Sequence, residues 1–182
     1  MVHTYKQKFT VLQQEILWLL FVKVGMPLNQ REIARMLDVS APAIKKAIPF
    51  LEKENLIKVK QDKDSRRWSI ELNRDNHAVM QLKRVDNLRQ VYESGLVDFL
   101  EKEFAGATII LFGSYSRGED VINSDIDIAI IGRKERKINL ISYEKILERQ
   151  IHLSFYNSFK EVHIHLRENI FNGIVLIGGI TL

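Results

Sequence analysis

The chain has 182 residues, no cysteine and a formal net charge of +4. The absence of cysteine excludes disulfide bonds and zinc or iron–sulfur sites with cysteine ligands. The longest apolar run near the start, Ile16 to Val22, falls far short of the roughly 20 residues that a membrane span requires, and no signal-peptide arrangement is present. We therefore expect a soluble cytoplasmic protein that does not use a membrane.

Charge is distributed unevenly along the chain. Residues 1–75 carry 14 Lys+Arg and 9 Asp+Glu, a net charge of +5, whereas residues 76–182 carry 13 and 14, a net charge of −1. A basic first half beside a nearly neutral second half is typical of a nucleic-acid-binding module joined to a different domain. An ordinary lysine-rich surface would give the same balance, so charge alone does not separate the two interpretations.

Helices are predicted at the start of the chain. Residues 9–24 are apolar at helical spacing, and a shorter helix follows over residues 30–37. Ser40 is placed to cap a third helix, in which Pro49 removes a hydrogen bond to the carbonyl of Lys45. We expect the proline to kink or end this third helix.

A β-hairpin is predicted next, with strands over residues 56–60 and 67–72 around a polar turn. Three helices followed by this hairpin resemble the winged helix-turn-helix domains of transcription regulators over residues 8–73, and the similarity is carried by REIARMLDVSAPAIKKAIPFLEKENLIKV. The resemblance implies a third helix in the major groove of double-stranded DNA and a wing on the backbone. A winged helix used for dimerisation or partner docking is the alternative. The DNA-facing residues implied are Ser40, Ala43, Lys45 and Lys46 on the helix and Lys60, Lys63, Arg66 and Arg67 on the wing.

A polar stretch at residues 73–76 marks a boundary, and a helical pattern resumes at His77. We predict a first domain over 1–75, a linker helix over 76–94 and a second domain over 95–182. The helix carries an apolar stripe that we expect to be a packing surface, either bracing the two domains or pairing with a second copy in a homodimer. The stripe consists of Val79, Leu82, Val85, Leu88 and Tyr92.

The second domain is organised around the sequence IILFGSYSRGEDVINSDIDIAII, which contains two apolar strands. The first strand leads into Gly113 and Ser114, a turn whose N–H groups and following helix end can hold phosphate oxygens. Ser114 can cap this turn, and Gly113 has no Cβ, so that a phosphate can come close. Asp125 and Asp127 point to one face of the second strand. Two carboxylates so placed suit Mg²⁺ carrying a triphosphate; the alternative is a tight turn and two acids that break up a strand edge.

Gly113-Ser114 followed by Asp125-x-Asp127, with Arg117 in the intervening turn, resembles the minimal nucleotidyltransferase domain of the DNA polymerase beta superfamily. The resemblance covers residues 95–182. It implies that Gly113, Ser114 and Arg117 bind the nucleoside triphosphate (NTP), and that the catalytic residues Asp125 and Asp127 bind Mg²⁺. It also implies transfer of a nucleoside monophosphate from the NTP to a hydroxyl group, with release of pyrophosphate.

The same resemblance implies a third carboxylate on the strand predicted over residues 151–155, where it would help to activate the attacking hydroxyl. The best-matching position here is His152. A neutral histidine could accept a proton, but it does not supply the negative charge that a second Mg²⁺ requires. Beyond this strand, residues 158–170 are predicted to form one helix with a capping box of Ser158 and Glu161, and residues 173–179 a last strand or tail.

The sequence therefore predicts an α+β protein of two domains, an N-terminal winged helix and a C-terminal mixed sheet of the nucleotidyltransferase type flanked by helices. The leading function is Mg²⁺-dependent nucleotidyl transfer to an unidentified acceptor, coupled to DNA binding. Minimal domains of this kind also occur as antitoxins that nucleotidylate a HEPN-type toxin, so a protein acceptor is open by resemblance. The alternative is a DNA-binding transcription regulator whose second domain is degenerate and senses nucleotide or forms a dimer.

Overall fold

The computed structural model describes residues 9–61 and 68–180. The chain divides into two compact units, Met1–Val79 and Met80–Leu182. No helix in the described part of the chain is long and apolar enough to cross a membrane.

The first unit contains the three helices and the hairpin that the sequence predicts. The hairpin strands are antiparallel, with Ile57 opposite Leu72 and Gln61 opposite Trp68. An isolated antiparallel bridge connects Leu28, which precedes α2, to Ile70 of the hairpin. The elements are α1 (Val11–Val22), α2 (Gln30–Met36), α3 (Ala41–Lys53), β1 (Ile57–Gln61) and β2 (Trp68–Leu72).

Helix α3 begins where the sequence predicts, because the Ala43 N–H donates to Oγ of Ser40 at 3.3 Å. Pro49 does not end the helix, since α3 continues to Lys53, and the kink expected there stays a prediction. Pro49 and Lys45 are both exposed, so water can reach the Lys45 carbonyl that lacks its intrahelical donor. Ile44, Ile48 and Leu51 meanwhile anchor both sides of the proline in the core of this unit.

The second unit is a mixed four-stranded sheet with helices on its faces, and the fold class predicted from the sequence is thereby confirmed. Its strand order is β5-β4-β3-β6, in which only the β4–β5 pair is parallel among the described strands. The elements are α4 (His77–Glu93), which begins in the first unit, α5 (Leu96–Glu103), β3 (Thr108–Phe112), α6 (Gly113–Arg117), β4 (Ile126–Ile131), α7 (Ile141–Leu147), β5 (Ile151–Tyr156), a 3₁₀ turn (Phe159–Glu161), α8 (Ile164–Phe171) and β6 (Ile174–Ile177).

The two central strands, β3 and β4, are apolar on both sides because both faces of the sheet are covered. Ile109 and Leu111 belong to the core on one face, together with Leu96 and Leu100 of α5. The alternate residues of the same strands belong to the core on the other face, with Ile170 of α8. The strand ends that carry Gly113 and the two aspartates are therefore held by rigid, fully packed elements.

The apolar stripe predicted on α4 is buried only in part, since Val79 belongs to the core of the first unit and Leu88 packs against a core of the second. Leu82, Val85 and Tyr92 are 43%, 68% and 48% exposed. The buried side of the helix also carries polar residues, among them Lys83 and Asn87, both of which bond to Asp120 in the loop after α6. The homodimer that the stripe suggests stays a prediction.

The single helix predicted over residues 158–170 is wrong. A 3₁₀ turn ends at Glu161, and Val162 and His163 have ψ values of 123° and 139°, which interrupt the helix before α8 begins. The predicted capping box is also absent, because Ser158 makes no side-chain cap and Glu161 accepts from the N–H and side-chain amide of Asn157. Val162 is 1% exposed and belongs to the core. The extended backbone at Val162 places its side chain in that core, where a regular helix would not place it.

Candidate active site

The carboxylate pair lies at the start of the central strand β4. Asp125 comes directly before the strand and is exposed, Ile126 is buried, and Asp127 is half-buried. Asp127 stands opposite Phe112 in the antiparallel pair and opposite His152 in the parallel pair. The strand register thus brings Asp127 next to the Gly113 turn on one side and next to His152 on the other.

Gly113 has a φ of +76°, in the left-handed region that favours glycine. A Cβ added there would collide with Oδ2 of Asp127 and lie 3.2 Å from its Cγ. The space that the missing side chain leaves is thus filled by the carboxylate of Asp127. The sequence predicts this glycine for the approach of a phosphate, whereas the structure shows that it admits a candidate metal ligand.

Burial raises the pKa of Asp127, and the neighbouring charge of Asp125 raises it further, whereas His152 lowers it. Two carboxylates held close together with one partly removed from water repel each other, and a cation between them relieves that repulsion.

The Gly113 turn leads into α6, a helix of five residues. The prediction that Ser114 caps this turn is wrong, because Phe112 is the N-cap residue and no side chain bonds there. Ser116 is the serine that closes the turn, its Oγ donating to the Gly113 carbonyl at 2.9 Å. Ser114 is half-buried, and its side chain makes no capping hydrogen bond at the start of α6.

Arg117 lies at the end of α6 and is bonded to other residues. Its Nε donates to Oε2 of Glu119 at 2.7 Å, and its Nη1 donates to the side-chain oxygen of Asn169 at 3.4 Å. The side chain of Arg117 is 38% exposed, and its exposed ion pair with Glu119 costs little to break, so the guanidinium is available to a phosphate.

A buried polar network, which the sequence analysis misses, lies behind the turn. Nζ of Lys83 bonds to Asp120 and to Oδ1 of Asn87 at 3.2 Å, and Asn87 donates to Asp120 at 2.7 Å. Arg149 lies on the other side, 3.6 Å from Oδ2 of Asp120. Burial lowers the pKa of Lys83, although Asp120 acts in the opposite direction. A signal for this network is present in the sequence, since Lys83 and Asn87 have the four-residue spacing of one helix face.

A cleft of about 510 Å³ adjoins Asp125. It is bounded by the loop before β4 and by α7 with the residues after it, and it includes the side chains of Ser124, Glu144 and Arg149. This volume lies within the range of small-molecule sites, and it leaves room for a ligand beside the carboxylate pair.

The two aspartates supply carboxylate oxygens, the donors that Mg²⁺ prefers. Within residues 9–61 and 68–180, no group of three or more His, Asp or Glu side chains is arranged to hold a metal. Mg²⁺ in nucleotide sites is commonly bound by one or two carboxylates together with substrate phosphates and water. Asp125 and Asp127 match that pattern, so the residues present fit a Mg²⁺ that arrives with a triphosphate.

The DNA-facing residues predicted on α3 lie at its start. Lys45 and Lys46 are exposed, Ala43 is half-buried, and Ser40 is the helix cap. Lys60 on β1 is exposed and lies 3.6 Å from Glu71 across the hairpin. The remaining predicted contacts, Lys63, Arg66 and Arg67, fall outside the described residues.

Some solved structures are similar to the chain. The adhesin competence repressor of Streptococcus pyogenes is 25% identical with a TM-score of 0.42, and the match covers 55% of this chain and 71% of that one. MepR, a transcription regulator of the Staphylococcus aureus multidrug efflux pump MepA, is 26% identical with a TM-score of 0.41, covering 53% and 69%. Such low TM-scores carry no functional argument. No curated protein matches the chain significantly.

Two family models match the chain, and they match different parts of it. The model of the MarR family matches residues 9–68, the three helices with the start of β2. The model of the nucleotidyltransferase domain matches residues 93–177, which include the Gly113 turn, both aspartates and β5. The chain therefore joins a winged helix domain, similar to those of the MarR family, to a nucleotidyltransferase domain.

Proposed function

We propose that the chain is a Mg²⁺-dependent nucleotidyltransferase coupled to a DNA-binding winged helix. The observation that carries this proposal is the Asp127 carboxylate lodged against Gly113, with Asp125 beside it at the start of a central strand. In the proposed reaction an acceptor hydroxyl oxygen forms a bond to the α-phosphorus of an NTP. The bond from that phosphorus to the bridging oxygen breaks, pyrophosphate leaves, and the hydroxyl proton passes to solvent or to a nearby base.

Each residue of the turn has a role in this proposal. The N–H groups around Gly113 and Ser114 hold phosphate oxygens, and Arg117 adds positive charge after leaving Glu119. Asp125 and Asp127 would hold a Mg²⁺, which when bound neutralises phosphate charge. The cleft beside Asp125 offers the acceptor or the nucleoside a place next to the reacting phosphate.

Replacing both aspartates with asparagine should weaken Mg·ATP binding by more than about 100-fold, or about 2.7 kcal/mol of binding free energy. Asparagine keeps the size of the side chain and removes its charge. The fold should survive, because burial already disfavours the charged form of Asp127. Isothermal titration measures the affinity, and thermal melting checks the fold. Asp98→Asn, at an exposed site on α5, is the control. Unchanged titration heats in the Asp125→Asn, Asp127→Asn variant would refute the metal site.

The acceptor is proposed to be a macromolecule with a free hydroxyl, either a protein or a nucleic acid. A HEPN-type toxin is one protein acceptor that the resemblance suggests. The experiment is to incubate the chain with Mg²⁺ and ATP labelled at the α-phosphate in a host lysate, and then to treat parallel samples with protease and nuclease. Label that depends on Asp125 and is lost with protease identifies a protein acceptor, and label lost with nuclease identifies a nucleic acid.

Binding of double-stranded DNA is proposed for the first unit, through the basic start of α3 and the wing. Lys45→Ala combined with Lys46→Ala should weaken DNA binding and lower the slope of log K against log salt by about 1.8, because each lost phosphate contact removes about 0.9. Gel retardation or anisotropy over a salt series measures the slope. Lys102→Ala with Lys160→Ala removes the same charge from the second unit and should leave the slope unchanged. An equal loss of DNA affinity and of salt slope in both double variants would indicate only a general effect of net charge.

A second candidate function is favoured by one observation, a histidine rather than a carboxylate at position 152, opposite Asp127. Without a third carboxylate the domain could bind Mg·NTP and report its presence to the DNA-binding unit without turnover. In that case no lysate component becomes labelled, while Mg·ATP changes the affinity of the full chain for DNA. Labelling that requires Asp125 would exclude this alternative.

A further inference from the structure

The proposed reaction assigns no role to the buried network around Asp120. Lys83 is 0% exposed and Asp120 is 1% exposed. Burying a lysine and an aspartate together costs several kcal/mol per ion in lost hydration, and replacing such pairs by apolar residues is often neutral or stabilising. Stability alone is therefore a poor reason for this pair, and the geometry around it suggests another one.

The network fixes the backbone that joins the Gly113 turn to Asp125. Nδ2 of Asn87 donates to the Tyr115 carbonyl at 2.8 Å, and Nε of Arg84 donates to the Ser116 carbonyl at 3.0 Å. Both donors are on α4, as is Lys83, which holds Asp120. One helix thus contacts the connecting segment at successive points with hydrogen bonds that apolar side chains could not make.

The same helix also approaches this segment closely at Gly118. A Cβ added to Gly118 would lie 2.7 Å from the Met80 carbonyl oxygen and 2.8 Å from the Arg84 nitrogen. Beyond Asp120, a turn between Val121 and Ser124 is closed by bonds of 2.8 and 3.0 Å and leads directly into Asp125. The path from the phosphate turn to the first metal ligand is consequently held by α4 and then by its own turn.

We propose that Lys83, Asn87 and Asp120 are positioning residues, which hold segment 113–125 in its binding conformation before the nucleotide arrives. This inference rests on the proposed nucleotide-binding function. Because only the competent conformation binds, apparent affinity falls in proportion to its population. Loss of the network should therefore weaken Mg·ATP binding even where the fold is intact.

The test compares two variants. Lys83→Met with Asp120→Leu replaces the ion pair by an apolar pair and also removes the carboxylate beside the buried Arg149. Asn87→Ala keeps the ion pair but removes the bonds of Asn87 to Lys83, Asp120 and the Tyr115 carbonyl. Either should accelerate amide hydrogen exchange in segment 113–125 of the nucleotide-free protein, and should raise the Kd for Mg·ATP about tenfold for a tenfold smaller competent population. Thermal melting identifies which variant is stably folded. The exchange rates and the Kd of that variant are then compared with those of the wild type.

Glu93→Gln is the control, because it removes an ion pair with Arg89 on the same helix without touching the segment. It should change neither the exchange nor the affinity. A folded variant with wild-type exchange in segment 113–125, or with faster exchange and unchanged Kd, would overturn the inference. If the wild-type chain binds no Mg·ATP, the proposed function fails, and the exchange rates alone then decide whether the network holds the segment.

Discussion

Replacing Gly113 with alanine is expected to abolish detectable Mg·NTP binding. The new Cβ would collide with Oδ2 of Asp127, so either the carboxylate or the turn must move. A displacement of about 1 Å in a catalytic site can cost about 100-fold, and here both the phosphate turn and a metal ligand are displaced. Titration with Mg·ATP measures the loss of nucleotide affinity, and titration with Mg²⁺ alone measures the loss of metal affinity.

Gly95→Ala is a matched control for this change. Gly95 has the same φ of +76°, and a Cβ built there meets nothing within 4 Å. Both alanine variants should lose about 1–2 kcal/mol of folding stability, the cost of a left-handed conformation for a residue with a side chain, and Gly113→Ala should lose more because its Cβ also collides with Asp127. Only Gly113→Ala should lose nucleotide affinity. If both variants bind Mg·ATP like the wild type, the contact between Gly113 and Asp127 has no functional importance.

The sequence predicts the residues of this site better than it predicts their arrangement. Gly113, Asp125 and Asp127 stand out because a glycine turn and an alternating pair of acids interrupt two apolar strands. The contact between Gly113 and Asp127 depends on the antiparallel register of β3 and β4, and register is set by long-range pairing that local patterns do not contain. The reason assigned to the glycine from sequence was therefore incomplete.

Helix α4 shows why the rest was harder to predict. Its apolar stripe has helical spacing, and apolar spacing is the usual signal for a buried face. The buried face also contains Lys83 and Asn87, because both side chains bond to Asp120. Asp120 lies 37 residues from Lys83 in sequence. A polar face is buried only when such distant partners satisfy it, and periodicity cannot reveal the partners. The error at residues 158–170 is similar, since the core position of Val162 overrides a continuous helical pattern.

Replacing His152 with aspartate is expected to increase nucleotidyl transfer by about 100-fold or more, the usual contribution of a positioned general base. His152 stands opposite Asp127 on the neighbouring parallel strand, where the resemblance to the polymerase beta superfamily implies a third carboxylate. The added negative charge should also tighten Mg²⁺ binding. Labelled transfer to the acceptor, or release of pyrophosphate, measures the rate, and titration with Mg²⁺ alone measures the affinity.

His152→Asn is the matched control, because asparagine has the shape of aspartate without its charge. Burial and Asp125 already raise the pKa of Asp127, and a carboxylate at position 152 would raise it further. An acid whose pKa is higher in the folded state than in the unfolded state destabilises the fold as pH rises through the ordinary carboxylate range. The aspartate variant should thus melt below the asparagine variant at neutral pH without Mg²⁺, and the difference should disappear below the ordinary carboxyl pKa.

Adding Mg²⁺ at neutral pH should raise the melting temperature of the aspartate variant more than that of the asparagine variant, because the ion binds the folded state more tightly when a third carboxylate is present. This result and the faster transfer together would show that His152 limits a site otherwise built for catalysis. Equal melting with Mg²⁺, equal Mg²⁺ affinity and no transfer in either variant would contradict that conclusion. The nucleotide-sensing function would then be the better account of a domain in which Asp125 and Asp127 bind nucleotide and no group is transferred.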